Sequence, residues 1–88
     1  MNSQQKWDLY VDPGVSRQLK KFPAHDSRAV SMAILKIGLN PYTGDLQKMK
    51  GEYSWRRRVG SYRIFFRIYQ ELRAVVVYSV ERRTSNTY

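Results

Sequence analysis

The 88-residue sequence contains no cysteine and no apolar run close to the roughly 20 residues that a transmembrane helix requires. Without cysteine the chain forms no disulfides and no cysteine-based zinc site, which excludes a disulfide-stapled secreted mini-domain. No secretory signal peptide is recognisable either. We therefore expect a cytoplasmic protein that does not associate with membranes.

Acidic residues and histidine are scarce as well. The chain has seven Asp and Glu against 16 Lys and Arg, which gives a net charge of +9. Most of the excess lies in residues 48–88, which hold ten basic and three acidic residues. A basic half of this kind predicts an anionic partner, either nucleic acid or an acidic protein. The only histidine, His25, lies in a helix–helix turn, and we assign it no role.

What is present indicates one small domain over residues 1–88, with 42% hydrophobic and 14% aromatic residues. A strand is predicted at 7–11. Asp12 and Pro13 then indicate the start of a helix over 13–22. A second helix, capped by Asp26 or Ser27, has an apolar stripe at three- and four-residue spacing. The stripe consists of Ala29, Val30, Ala33, Ile34 and Ile37.

The second half of the chain is typical of strands. Residues 40–52 look like a loop, and three strands follow at 53–59, 62–69 and 74–82. Gly60-Ser61 suits a two-residue hairpin turn with glycine first. The third strand is apolar on both faces, so we expect it to be central. The predicted fold is α+β: a small, mostly antiparallel sheet in the order strand-helix-helix-strand-strand-strand, with both helices on one face.

Strand parity sorts the arginines of the hairpin. Arg56, Arg58, Arg63 and Arg67 share one face, while Arg57 shares the other with Trp55 and Val59. Neighbouring guanidiniums repel one another unless an anion lies between them, and arginine suits bidentate contact with phosphate. The alternative is an exposed sheet face on which long side chains cover apolar carbons. The face opposite the arginines, expected to pack under the helices, carries Tyr62, Ile64, Phe66 and Ile68.

Two segments, LQKMKGEYSWRRRVGSYRIFFRI and VVVYSVERRTSNTY, resemble the RelE/ParE superfamily of toxins. Its pattern has a Lys-hydrophobic-Lys/Arg-Gly turn, an aromatic and arginine-rich hairpin, an apolar strand, a basic cluster and a terminal tyrosine. The resemblance implies one of two activities. RelE-like members cut mRNA in the ribosomal A site without a metal or cofactor, whereas ParE-like members poison DNA gyrase. Both are silenced by an antitoxin.

The resemblance to the RelE-like enzymes also implies roles for individual residues. Arg63 and Arg58 would bind the scissile phosphate, and Arg56 takes the place of a lysine proposed as base or charge stabiliser. Arg83 would be a phosphate ligand or acid, and Tyr88 would stack on a base or join proton transfer. Because Ser54 stands where active relatives can have a second lysine, the general base stays open between Lys50, Tyr88 and a ribosomal group.

Four further basic residues are expected to bind substrate: Lys48, Lys50, Arg67 and Arg82, the last as an alternative to Arg83. The implied partners are an acidic, RelB-like antitoxin, in a toxin–antitoxin hetero-oligomer, and the ribosome with its mRNA. No metal is expected. Two other readings stay open: a ParE-like gyrase inhibitor without nuclease activity, and a nucleic-acid-binding homologue with impaired catalysis.

Overall fold

The computed structural model describes residues 7–51 and 53–83, which form two helices and a single five-stranded sheet. In chain order the elements are β1 (Asp8–Val11), α1 (Pro13–Lys21), α2 (Ala24–Leu39), β2 (Asp45–Lys48), β3 (Ser54–Val59), β4 (Tyr62–Tyr69) and β5 (Ala74–Arg82). The sheet order is β1-β5-β4-β3-β2. Strand β1 runs parallel to β5, and the other neighbours are antiparallel. The predicted α+β class and the central position of the last strand are confirmed.

The two helices begin in different ways. Helix α1 starts as predicted, because the Asp12 carboxylate accepts a hydrogen bond of 2.8 Å from the Gly14 N–H. Helix α2 starts at Ala24 after Pro23, so the prediction that Asp26 or Ser27 caps it is wrong. Pro23 has the fixed φ that admits a helix without a side-chain cap. The Asp26 carboxylate instead accepts a hydrogen bond of 2.8 Å from the Tyr62 hydroxyl.

Both helices pack on one face of the sheet, and the core lies between the two layers. Every second residue of β4 is buried there, from Tyr62 to Ile68, as the alternation predicted. Val30 and Ile37 of α2 are fully buried against this face. No helix in the described part of the chain is long and apolar enough to cross a membrane. Within residues 7–51 and 53–83, no helix packs on the other face of the sheet, which is called the open face below.

Strand β2 corrects the prediction of a loop over 40–52. It pairs antiparallel with β3, so that Asp45 lies opposite Arg58 and Lys48 lies opposite Trp55. Leu46 is its only apolar residue and packs against the core. A four-residue edge strand with one inward side chain has no hydrophobic alternation long enough to be detected in the sequence.

Arg57 lies on the helix side of the sheet, opposite Leu46 and Ile64. Its guanidinium packs against the backbone of Gly44, where a Cβ would lie 2.5 Å from Arg57 Nε. Gly44 also has a φ of +91°, which glycine alone adopts without strain. Arg57 Nη1 is buried without a hydrogen-bond partner among the described residues. Arg57 therefore belongs to the core rim, as its parity predicted, and is separate from the other hairpin arginines.

The partly buried Tyr62–Asp26 hydrogen bond predicts a specific response of stability to alkaline pH. Burial and the bond to Asp26 raise the pKa of the Tyr62 hydroxyl above its ordinary value of 10.0. Its contribution to stability is therefore complete below pH 10 and is lost as the pH rises through the higher pKa of the folded state. We expect the thermal midpoint to fall more steeply above pH 10 in the wild type than in Tyr62→Phe. Equal slopes for the two proteins between pH 9 and 12 would contradict this assignment.

Candidate nucleic-acid interface

Four arginines and the edge strand β2 line a cleft of about 310 Å³ on the open face. Arg58 of β3 lies directly opposite Arg63 of β4, and Arg56 lies opposite Phe65. Arg83 follows β5, and its backbone N–H donates a hydrogen bond of 2.5 Å to the Ser61 carbonyl in the hairpin turn. This site is called the arginine cleft below. Its lining residues are Asp45, Leu46, Gln47, Arg56, Arg58, Arg63 and Arg83.

The arginines converge because of the two-residue period of a strand and the register of the hairpin. Gly60, with a φ of +58°, turns the chain so that Val59 pairs with Tyr62. This register places the even residues of β3 and the odd residues of β4 on the same face. A slip by one residue would move Arg63 into the core and Ile64 into solvent, so burial of β4 fixes the geometry of the cleft.

Strand β2 supplies two partners for the arginines, and sequence reasoning missed both. Asp45 Oδ2 accepts a hydrogen bond of 3.1 Å from Arg58 Nε, and Gln47 Oε1 accepts one from Arg56 Nη2. The Asp45 and Arg58 side chains are 61% and 51% exposed, so their ion pair is weak and an incoming anion can replace it. Among the described residues, the guanidiniums of Arg63 and Arg83 have no such partner.

Four other predicted site residues lie outside the lining of the arginine cleft. Arg82 lies opposite Tyr62 on the helix side, 5.8 Å from that ring, so alternation along β5 selects Arg83 over Arg82. Lys48 also lies on the helix side, with its Nζ 5.7 Å from the centre of the Trp55 ring and 3.1 Å from the Gly51 carbonyl. Arg67 shares the open face with the cleft but does not line it. Lys50 lies in the β2–β3 loop outside the cleft, and Tyr88 lies outside the described residues.

The chemistry of the arginine cleft is that of an oxyanion site. Guanidiniums form charge-assisted, bidentate hydrogen bonds to phosphate and stabilise negative charge that develops during a reaction. They stay protonated, so they exchange protons poorly. None of the residues lining the cleft is a histidine, lysine or tyrosine. The cleft is therefore suited to holding a phosphate, whereas a reaction that moves protons would need a further group. No cluster of three or more metal-ligating side chains is found within residues 7–51 and 53–83.

Solved structures of RelE toxins and their complexes share this fold. A chain of the RelBE2 toxin–antitoxin complex from Mycobacterium tuberculosis matches with a TM-score of 0.76 and 23% identity, over 90% of this chain and all of that one. A chain of the archaeal RelE–RelB complex from Pyrococcus horikoshii matches with a TM-score of 0.79 and 16% identity, over 93% of this chain and all of that one. The isolated RelE toxin of Escherichia coli matches with a TM-score of 0.73 and 16% identity, over 91% of this chain and 87% of that one.

These matches establish the RelE fold for the described chain. At 16 to 23% identity they extend to the fold alone. No protein-family model and no curated protein sequence matches the chain. The fold that the resemblance implied is thus confirmed, and Arg56, Arg58 and Arg63 of the motif hairpin line the arginine cleft.

Proposed function

We propose that this chain is the toxin of a type II toxin–antitoxin module, and that it is a metal-independent endoribonuclease acting on mRNA at the ribosome. The observation that supports the proposal is the arginine cleft itself. Guanidiniums from β3, β4 and the end of β5 surround one space large enough for a phosphodiester. The RelE fold supports the toxin assignment independently, because the neighbouring structures are RelE toxins and RelB–RelE complexes.

The reaction would be transesterification within the RNA. The ribose 2′-OH attacks the adjacent 3′ phosphate in line, the bond to the 5′ oxygen breaks, and a 2′,3′-cyclic phosphate forms. The enzyme must align the attacking oxygen, stabilise the additional negative charge, take the 2′ proton and supply a proton to the leaving oxygen. The first two tasks are those that a fixed cluster of guanidiniums performs.

We assign the arginines by their positions in the cleft. Arg63 and Arg83, which have no protein partner among the described residues, would bind the nonbridging oxygens of the scissile phosphate. Arg58 and Arg56 would exchange their bonds to Asp45 and Gln47 for bonds to the RNA backbone. Lys50 or Tyr88 would transfer protons, with a ribosomal group as the third candidate.

The proposed partners follow from the charge and the fold. An acidic, RelB-like antitoxin would neutralise the basic face in the cytoplasm, as RelB pairs with RelE in the complexes that share this fold. With a net charge of +9, the chain is suited to association with a negatively charged segment and with ribosomal RNA. A hetero-oligomer of toxin and antitoxin would be the resting form.

Primer extension on mRNA from cells that express the chain tests this proposal. We expect new 5′ ends within translated codons, and none in the same transcript when its start codon is removed. Cuts that persist without translation would contradict the dependence on the ribosome. Intact mRNA together with double-strand breaks in DNA would favour a gyrase inhibitor, and neither lesion would favour a homologue with impaired catalysis.

A further inference from the structure

The open face continues from the arginine cleft into a cluster of two rings and a guanidinium. The Phe65 and Tyr78 rings lie 6.3 Å apart with an interplanar angle of 38°, and the Arg67 guanidinium carbon lies 4.4 Å from the centre of the Tyr78 ring. These three residues, called the stacking platform below, are half-buried and lie on the open face, which no helix of the described segments covers. Their function is not explained by phosphate binding in the cleft.

The stacking platform adjoins the arginine cleft through the strand register. Phe65 of β4 pairs directly with Arg56 of β3, and such cross-strand neighbours have Cβ atoms about 5 Å apart. Phe65 is also two residues from Arg63 on the same face, a distance of about 7 Å along a strand. A nucleotide whose phosphate lies in the cleft therefore has a ring surface within reach of its base.

An irregularity in β5 creates the platform. Phe65 pairs with Ser79 and Phe66 with Val77, so Tyr78 is the extra residue of a β-bulge. The bulge keeps Val77 and Val80 buried in the core, while Tyr78 contacts Phe65 and Arg67 on the open face. Bulges are common beside functional sites, where they redirect a side chain. Here the bulge adds a ring to the face that carries the arginines.

We propose that the stacking platform binds a nucleobase of the single-stranded RNA whose phosphate occupies the arginine cleft. The inference rests on the proposed function and adds a second point of contact to it. Single-stranded RNA is recognised by stacking its bases on aromatic rings and arginine planes, beside a cationic surface that holds its backbone. Stacking accepts every base, so the platform would position the RNA chain and leave codon choice to other contacts.

Binding of short single-stranded RNA to the purified protein at low salt, followed by fluorescence anisotropy, tests the stacking platform. We expect Tyr78→Leu to weaken binding about tenfold, as for the loss of one stacked base. Tyr78→Phe, which returns the ring, should recover the affinity. In the wild type, one abasic position in the oligonucleotide should weaken binding by the same factor. In Tyr78→Leu, the abasic position should not weaken binding any further.

The outcomes separate this inference from the proposed function. Arg63→Ala could lose RNA binding while Tyr78→Leu and Tyr78→Phe bind as tightly as the wild type. That result would overturn the platform and leave the RNA site in the cleft. Equal binding of intact and abasic oligonucleotides would also overturn it. Weaker binding of an acidic protein partner in Tyr78→Leu, with RNA binding unchanged, would make the platform a protein contact. No RNA binding by the wild type would overturn the platform, whereas the proposed function would still be decided by primer extension on translated mRNA.

Discussion

Arg63→Ala should reduce the rate of mRNA cleavage by about 10²–10³-fold, the usual effect of removing one preorganised donor from a developing oxyanion. Arg63 is central in the arginine cleft, opposite Arg58, and its guanidinium has no protein partner among the described residues. Loss of the side chain therefore removes a phosphate contact without leaving a buried group unpaired. The remaining arginines still attract RNA, so the larger part of the loss should appear in kcat.

The same substitution should leave the fold intact. Exchange of a surface side chain without a protein partner changes stability by no more than about 0.5 kcal/mol in most proteins. The rate is measured with purified ribosomes and a defined mRNA, and the thermal midpoint is measured in parallel. Arg82→Ala is the matched control, because it removes the same charge from the helix side of the sheet. Cleavage by Arg63→Ala at the wild-type rate would show that Arg63 is not part of the catalytic site, and its unfolding would contradict the expectation that Arg63 is dispensable for the fold.

The hairpin and its arginine face were predictable from the sequence because both depend on local rules. Alternation along β4 is regular from Tyr62 to Ile68, and the Gly60-Ser61 turn fixes the pairing. Once the inward face of β4 is known, the two-residue alternation of side chains along a strand assigns every arginine of the hairpin to one face of the sheet. The separate position of Arg57 follows from the same rule, and its packing against Gly44 gives the physical reason for a glycine there.

Features that depend on pairing between distant segments were not predictable. Strand β2 pairs with β3 and has Leu46 as its one apolar residue, so its contribution of Asp45 and Gln47 to the cleft leaves no periodic pattern. The bulge at Tyr78 likewise exists only in relation to β4. It changes the alternation within β5, so only the register shows that Arg82 lies on the helix side and Arg83 at the cleft.

The internal partners of the cleft also bear on its regulation. Asp45 and Gln47 accept hydrogen bonds from two of the four arginines and so reduce the repulsion between the guanidiniums. Both contacts are exposed to solvent and easily exchanged. An acidic segment of an antitoxin can make the same contacts in greater number and extend them to Arg63 and Arg83. RNA and the antitoxin would then compete for the same guanidiniums.

We therefore expect the association rate with the antitoxin to fall by about 10²–10³-fold between low and high salt, the range that separates steered from neutral association. The Debye length shrinks from about 30 Å at 0.01 M salt to about 3 Å at 1 M, so only a contact driven by charge loses its steering. The measurement is stopped-flow mixing of the purified chain with the proposed acidic, RelB-like antitoxin.

Charge reversal in the cleft provides the sharper form of this experiment. Arg56→Glu with Arg58→Glu should lower the association rate at low salt and flatten its dependence on salt, because the partner would meet acidic side chains at the rim of β3. Reversal of Arg17 and Arg28, exposed on the helices, changes the net charge equally without touching the cleft. If both pairs reduced the rate alike, steering would come from the total charge of the chain. A larger effect of the β3 pair would locate the antitoxin contact at the arginine cleft, since steering acts most strongly where the opposing charges meet.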